Sequence, residues 1–158
     1  MNLSSTMDNF DRHILSLLQK NGALSLAEIS DKIGLSQTPC WRRIQQLEQN
    51  GVIRKKVALL DAEKLNVGLT VFVNLKTNQH NPEWLESVKS FAENSPEVTE
   101  FYRMSGDTDY LLKVLVPDMK AYDAFYQRLI GQAGFSDVSS SFAMEQMKYS
   151  TEVPLNYC

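Results

Sequence analysis

Apolar positions in the first 50 residues repeat with the period of a helix. Phe10, Ile14, Leu17 and Leu18 fall at i, i+4, i+7 and i+8, which predicts an amphipathic helix from the capping residue Asp8 to about Lys20, closed by Asn21-Gly22. A second helix is predicted after Ser25. Ser25 and Glu28 match the S-x-x-E capping box, Leu24 and Ile29 occupy the staple positions, and Gly34 supplies a left-handed stop. A third helix is capped by Ser36, takes Pro39 in its first turn, where no intrahelical N–H is lost, and runs to Asn50. At about 100° per residue, Cys40, Ile44 and Leu47 share one side of it, and Thr38, Arg42, Gln45 and Gln49 share the other. Two helices joined by a tight turn, the second presenting Thr, Arg and Gln outward, predict a helix-turn-helix able to bond base edges and phosphates. Around Arg54-Lys55-Lys56, the β-prone runs Val52-Ile53 and Val57–Leu60 predict a wing hairpin that sets cations against phosphate; a plain solvated turn is the alternative.

On the flanks of the third helix, Trp41 is expected to pack against a neighbour. Arg43 suits an internal ion pair as well as it suits DNA. Cys40 reads as a small buried side chain rather than a reactive thiol.

After about residue 66 the pattern changes. Leu69, Val71, Val73 and Leu75 alternate, which predicts a strand over 66–78. Trp84, Leu85, Val88, Phe91 and Ala92 have helical spacing, broken by Asn94-Ser95-Pro96. Strands follow over 98–105 and 110–116, joined by Gly106-Asp107-Thr108-Asp109. Asp118 caps a helix bearing Met119, Tyr122, Phe125, Tyr126 and Leu129, which ends at Gly131–Gly134, and a last strand is predicted from Val138 to Tyr149. The order βαββαβ is the ferredoxin-like pattern. The expectation is therefore an α+β chain: a winged helix-turn-helix over 1–62 and a ferredoxin-like domain over 63–158.

Charge sharpens this division. The net charge of −3 argues against a nucleic-acid partner for the chain as a whole. Residues 1–65, however, carry 9 Lys and Arg against 7 Asp and Glu, or +2, and the remainder carries 7 against 12, or −5. An acidic second module masks a locally basic first one. No apolar run is long enough to cross a bilayer, and the N-terminus MNLSSTMDNFDR lacks the basic-then-apolar order of a secretory signal. Cys40 and Cys158 match no zinc or redox spacing, which fits a reducing, cytoplasmic setting. No cofactor or metal is expected. His13 and His80 stand in ordinary contexts, and no dinucleotide fingerprint, P-loop, zincin motif or nucleophile elbow is present. The stretch NQHNPEW lacks the anion loop that an acylphosphatase-like enzyme would need, so an enzyme is not expected.

The loop Ser105–Asp109 admits two readings. Its carboxylates, hydroxyls and backbone N–H groups could hold both ends of an amino acid, or its Asp and Gly could simply form a hairpin turn. Ser139-Ser140-Ser141 could add hydroxyls or be an exposed strand face.

The strings TPCWRRIQQLEQNGVI, KVALLDAEKLNVGL, RMSGDTDYLLKV and DVSSSFAMEQMKYSTEVPL resemble the Lrp/AsnC (feast/famine) family of bacterial and archaeal regulators, over nearly the whole chain. G-D-T-D-Y resembles that family's G-x-x-D hairpin signature. Within the family the chain resembles the DecR-like branch of cysteine-responsive activators. The resemblance implies a dimer formed through the C-terminal (RAM) sheets, assembly of dimers into octamers, and an amino-acid effector, cysteine among the candidates, at the junction between dimers. Carried over by position, it implies effector contacts at Met104, Gly106, Asp107, Thr108 and Asp109, and at Asp137, Ser139 and Ser140. Thr108 stands where many relatives carry an aromatic residue.

The expected function is a ligand-responsive, sequence-specific DNA-binding transcription regulator. Thr38, Arg42 and Gln45 would reach bases, with Arg43 beside them; Ser36, Gln37, Arg54, Lys55 and Lys56 would meet phosphates. A dimer would place two such helices on a pseudo-palindromic site, with half-sites about 34–36 Å apart. The alternative is an assembly scaffold whose helix-turn-helix no longer binds DNA.

Overall fold

The computed structural model describes residues 7–79, 81–132 and 134–158. Residues 1–6, which open the stretch assessed for a leader, lie outside them, as do His80 and Ala133, within the loop and the helix end discussed above. The chain divides into two compact units: one runs to Leu59 and includes Lys148–Cys158, the other is Leu60–Met147. Residues 148–158, expected with the C-terminal domain, thus lie with the first unit.

The first unit holds α1 (Asn9–Lys20), α2 (Leu26–Ile33) and α3 (Gln37–Gln49). Asp8 caps α1 in a reciprocal box with Asp11, and Ser25 and Glu28 do the same for α2. Gly34 ends α2 at φ 71°, a conformation that costs a β-carbon-bearing residue more than glycine. Ile14, Leu15, Leu18, Ile29, Ile33, Cys40, Ile44 and Leu47 form the core. Leu15 belongs to it although the predicted stripe ran through Phe10 and Leu17, which are only partly covered.

No strand forms over 52–60 among the described residues, so the wing hairpin is not present as paired strands. Val52 and Ile53 instead fold onto the core, and the Ile53 N–H bonds the Leu47 carbonyl. Val57, Leu59 and Leu60 are exposed. A ladder needs a partner strand, and among the described residues none lies beside residues 54–60.

The C-terminal segment completes the first unit. Leu155 packs on its core, and the Gln19 side-chain amide donates to and accepts from the Val153 backbone, at 3.3 and 3.0 Å. Removing residues 153–158 is expected to cost the first unit about 1–2 kcal/mol in lost burial and hydrogen bonds. Amide hydrogen exchange of α1 reads this directly, as roughly tenfold faster exchange per 1.4 kcal/mol; unchanged rates would mean that the segment merely rests on the surface.

The second unit is β1 (Leu69–Thr77), α4 (Pro82–Glu93), β2 (Val98–Arg103), β3 (Tyr110–Val116), α5 (Met119–Ile130) and β4 (Phe135–Phe142), with the sheet order β2-β3-β1-β4, all antiparallel. This is the expected βαββαβ order. Val71, Val73 and Leu75 of β1 and Leu112, Val114 and Val116 of β3 pack with Val88, Phe125 and Leu129 of the two helices. The last strand stops at Phe142 rather than Tyr149. The last bond toward β1 runs from the Ala143 N–H to the Thr70 carbonyl, one residue from the start of β1, and residues 144–149 pair with no strand among the described residues.

Candidate nucleic-acid interface and effector loop

Burial sorts the side chains of α3 more sharply than the helical wheel does. Cys40, Ile44 and Leu47 are buried; burial also pushes the Cys40 thiol above its ordinary pKa, which suits packing rather than reactivity. Gln37, Thr38, Trp41, Arg42 and Gln49 are exposed. Ser36 occupies the N-cap position, but its hydroxyl makes no capping bond. The expected cap is therefore missing, and the hydroxyl stands beside the free N–H groups of the first turn, where an anion is favoured.

Arg42 and Arg43 have opposite fates. Arg43 donates to Asp11 at 2.8 Å and to Asp8 at 2.8 Å, and its guanidinium sits 5.3 Å from the Phe10 ring centre. These bonds, to Asp11 first and then to Asp8, raise its pKa. The Asp8 carboxyl is held below its usual value by the Asp11 N–H and then by Arg43. Arg43 thus pins α3 to the start of α1. Arg42, one residue earlier and about 100° away, has no hydrogen-bond or ion-pair partner among the described residues. Gln45 is half-buried and donates to Glu48 at 3.2 Å, so its amide is already engaged. Arg54, Lys55 and Lys56 are exposed on the extended segment, and Lys56 also lies 3.6 Å from Glu48. The packing role expected for Trp41 does not hold: its side chain is 51% exposed.

At the far end of the sheet, Asp109 is a structural residue. Its carboxylate accepts the Thr77 N–H at 2.8 Å, its own N–H donates to the Leu75 carbonyl, and its carbonyl accepts the Met104 N–H. Thr77 in turn donates its hydroxyl to the Gly134 carbonyl at 2.6 Å and accepts the Gln79 N–H at 2.9 Å. A chain of bonds therefore ties the β2–β3 hairpin, the end of β1 and the start of β4. Thr77 and Gly134 escaped the sequence reading. The available signal was Thr77 itself, a polar residue on the buried parity of Val71, Val73 and Leu75.

Gly106 takes φ 113°, and Met104 and Asp107 are exposed at the hairpin; Thr108 is half-buried. Asp107 has no partner among the described residues. Ser140 is paired with the Tyr122 hydroxyl, whereas Ser139 is exposed opposite Asn74. Asp137 lines a shallow depression of about 370 Å³ with Tyr126, Ile130, Gln132 and Phe135. None of residues 104–109 lines it. The hairpin and β4 share one end of the sheet but lie on opposite sides of β1, so neighbouring-strand spacing puts β3 and β4 about 10 Å apart. The two expected effector groups therefore do not share the depression beside Asp137.

The helices cover one face of the sheet only. On the other, Phe72, Leu111 and Leu115 are half-buried among Asn74, Lys113 and Ser141, with Tyr102 at its edge. Lys113 donates to Glu100 at 2.9 Å, and Glu100 accepts the Tyr102 hydroxyl at 2.6 Å. The Tyr102 bond first, then Lys113, lowers the Glu100 pKa.

Comparison with known proteins finds two family models in this chain. Residues 70–153 match the Lrp/AsnC ligand binding domain, and residues 7–54 match a winged helix-turn-helix DNA-binding model. The chain is 49% identical over 150 residues to the DNA-binding transcriptional activator DecR of Escherichia coli (strain K12), covering 94% of this chain and 99% of the relative. An AsnC family transcriptional regulator from Agrobacterium tumefaciens superposes with a TM-score of 0.91 at 57% identity, over 96% of this chain and 99% of that one. A transcriptional regulator from Neisseria meningitidis, solved as a complex with L-Met, gives a TM-score of 0.91 at 37% identity, with the same coverage.

Proposed function

Because the chain belongs to the Lrp/AsnC family of transcriptional regulators, we propose that α3 reads an operator, and that an amino acid bound at the second unit sets how the assembly holds DNA. The observation that carries the first half is the contrast of adjacent arginines: Arg43 is consumed in locking the helix bundle, and Arg42 is left solvent-facing on the same helix. Arg42 and Thr38 meet base edges, with Gln45 joining after exchanging its Glu48 bond. Ser36, Gln37, Arg54, Lys55 and Lys56 meet phosphates. Arg43 acts by positioning. Residues 1–62 carry the DNA-binding role and the rest carry effector binding and assembly, apart from the C-terminal segment that braces α1.

A second copy covers the uncovered sheet face. Phe72, Leu111 and Leu115 supply its apolar centre and the Glu100–Lys113 pair its rim, as expected of an interface. Dimers then assemble further, to octamers. In such an assembly Asp107 and Met104 from one hairpin and Asp137 and Ser139 from another chain can close a site that one chain leaves open. Asp107 supplies a carboxylate for the effector ammonium, and hairpin N–H groups receive its carboxylate. Cysteine is one candidate, and methionine, present in the Neisseria relative's complex, is another. The protein works in the cytoplasm and carries out no catalysis.

One titration tests both halves. Affinity for a duplex selected from a random library should fall steeply between 50 and 200 mM salt. Arg42→Ala should weaken it by about 1–3 kcal/mol and relax specificity. Repeating the titration with each of the twenty amino acids should single out one or a few that shift the curve, because an effector acts only through unequal affinity for two states. Salt-independent binding would favour the scaffold reading; an unshifted curve with all twenty would remove the effector.

A further inference from the structure

We propose that Trp41 is a specificity-determining residue of the DNA-reading surface, an apolar reader of thymine methyl groups. The inference rests on α3 being the groove-entering helix and adds what its polar residues cannot supply. On the wheel Trp41 is a border position, about 60° from buried Ile44 and about 60° from exposed Thr38. The tertiary structure resolves the ambiguity: Ile44 is 7% exposed and Trp41 51%. The indole stands one turn from Gln37 and Thr38 on one side and one turn from Gln45 on the other, on the flank of the helix between its buried and outward faces.

What distinguishes Trp41 is its place: its large apolar surface stands on α3 among Gln37, Thr38, Arg42 and Gln45, the groups that face the groove, so a duplex that meets them covers the indole and takes its apolar surface out of water. The occupant follows from chemistry. In the major groove the base edges present hydrogen-bond donors or acceptors, and the one methyl group exposed there is the C5 methyl of thymine. Arg42 and Thr38 discriminate by hydrogen bonds and phosphate contacts. Trp41 discriminates by excluding water from a methyl, so it separates thymine from any pyrimidine that lacks it. The indole N–H, a donor only, is left at the ring edge to meet a phosphate or a base acceptor.

The test removes the methyl and nothing else. In the duplex selected by the full-length chain, each thymine is replaced in turn by deoxyuridine, and affinities are measured for the wild-type protein, Trp41→Ala and Trp41→Phe. Wild type should lose about fourfold at one or more thymines of each half-site, the worth of one buried methyl. Trp41→Ala should be indifferent at those positions, and Trp41→Phe should keep part of the penalty. Acrylamide quenching gives a second readout. Trp84 is only 7% exposed, so the quenchable emission belongs to Trp41 and should become protected on specific DNA. A flat deoxyuridine scan in the wild type, or equal penalties in Trp41→Ala, overturns the proposal while leaving DNA binding intact. Trp41 already shielded from acrylamide in the free protein would show that another copy of the chain covers it, and overturns it too. A wild-type chain that selects no duplex at all removes the DNA-binding reading and this inference together.

Discussion

Gly134→Ala is expected to destabilise the second unit by about 3 kcal/mol, the sum of positive-φ strain and overpacking. Gly134 sits at φ 101°, where a β-carbon is disfavoured. That β-carbon would lie 2.5 Å from Trp84 Nε1 and 2.8 Å from its Cδ1. The indole cannot retreat easily, because it is held between Tyr110 and Phe135, at ring distances of 5.6 and 5.7 Å. The Gly134 carbonyl is also the acceptor for Thr77, so any shift propagates to Asp109 and the hairpin. Urea unfolding followed by emission in a Trp41→Phe background, where Trp84 is the one remaining indole, measures the loss. A change below about 1 kcal/mol would mean that Trp84 and Gln79 yield, and that this end of the sheet is less firmly set than its bonds imply. Asp109→Ala is a poor probe of effector chemistry for the same reason: it removes a strand-end bond, whereas Asp107→Ala leaves the frame intact.

Ile14→Ala should remove specific DNA binding without any contact to DNA being lost. Ile14 is fully buried, and its truncation costs about 2–5 kcal/mol. The first unit has only eight buried apolar residues in its core among those described, so it has little stability to spare. Loss of α1 protection in hydrogen exchange, with operator affinity falling in parallel and the protection of β1 and β3 unchanged, is the expected result. Protected α1 amides together with lost binding would place Ile14 in the reading surface and contradict the packing described above.

Helix boundaries were legible because caps are local: Asp8 with Asp11, Ser25 with Glu28 and Gly34 each act within one turn. Strands were legible for as long as their apolar alternation had a partner strand. The extension of β4 to Tyr149 and the wing pairing both failed because β-propensity at 143–149 and 57–60 says nothing about which backbone lies opposite.

The sequence by itself determined the two-module order, the βαββαβ pattern, the capped helices and the outward polar face of α3, since all are periodicities and local bonds. Tertiary structure alone decided which of two adjacent arginines is free, that Trp41 faces water, that Asp109 is a brace, and that Leu155 closes the first core. Each of these depends on what residues distant in the chain bring alongside. Burial and ion pairing are properties of neighbours in space, and a one-dimensional pattern does not carry them.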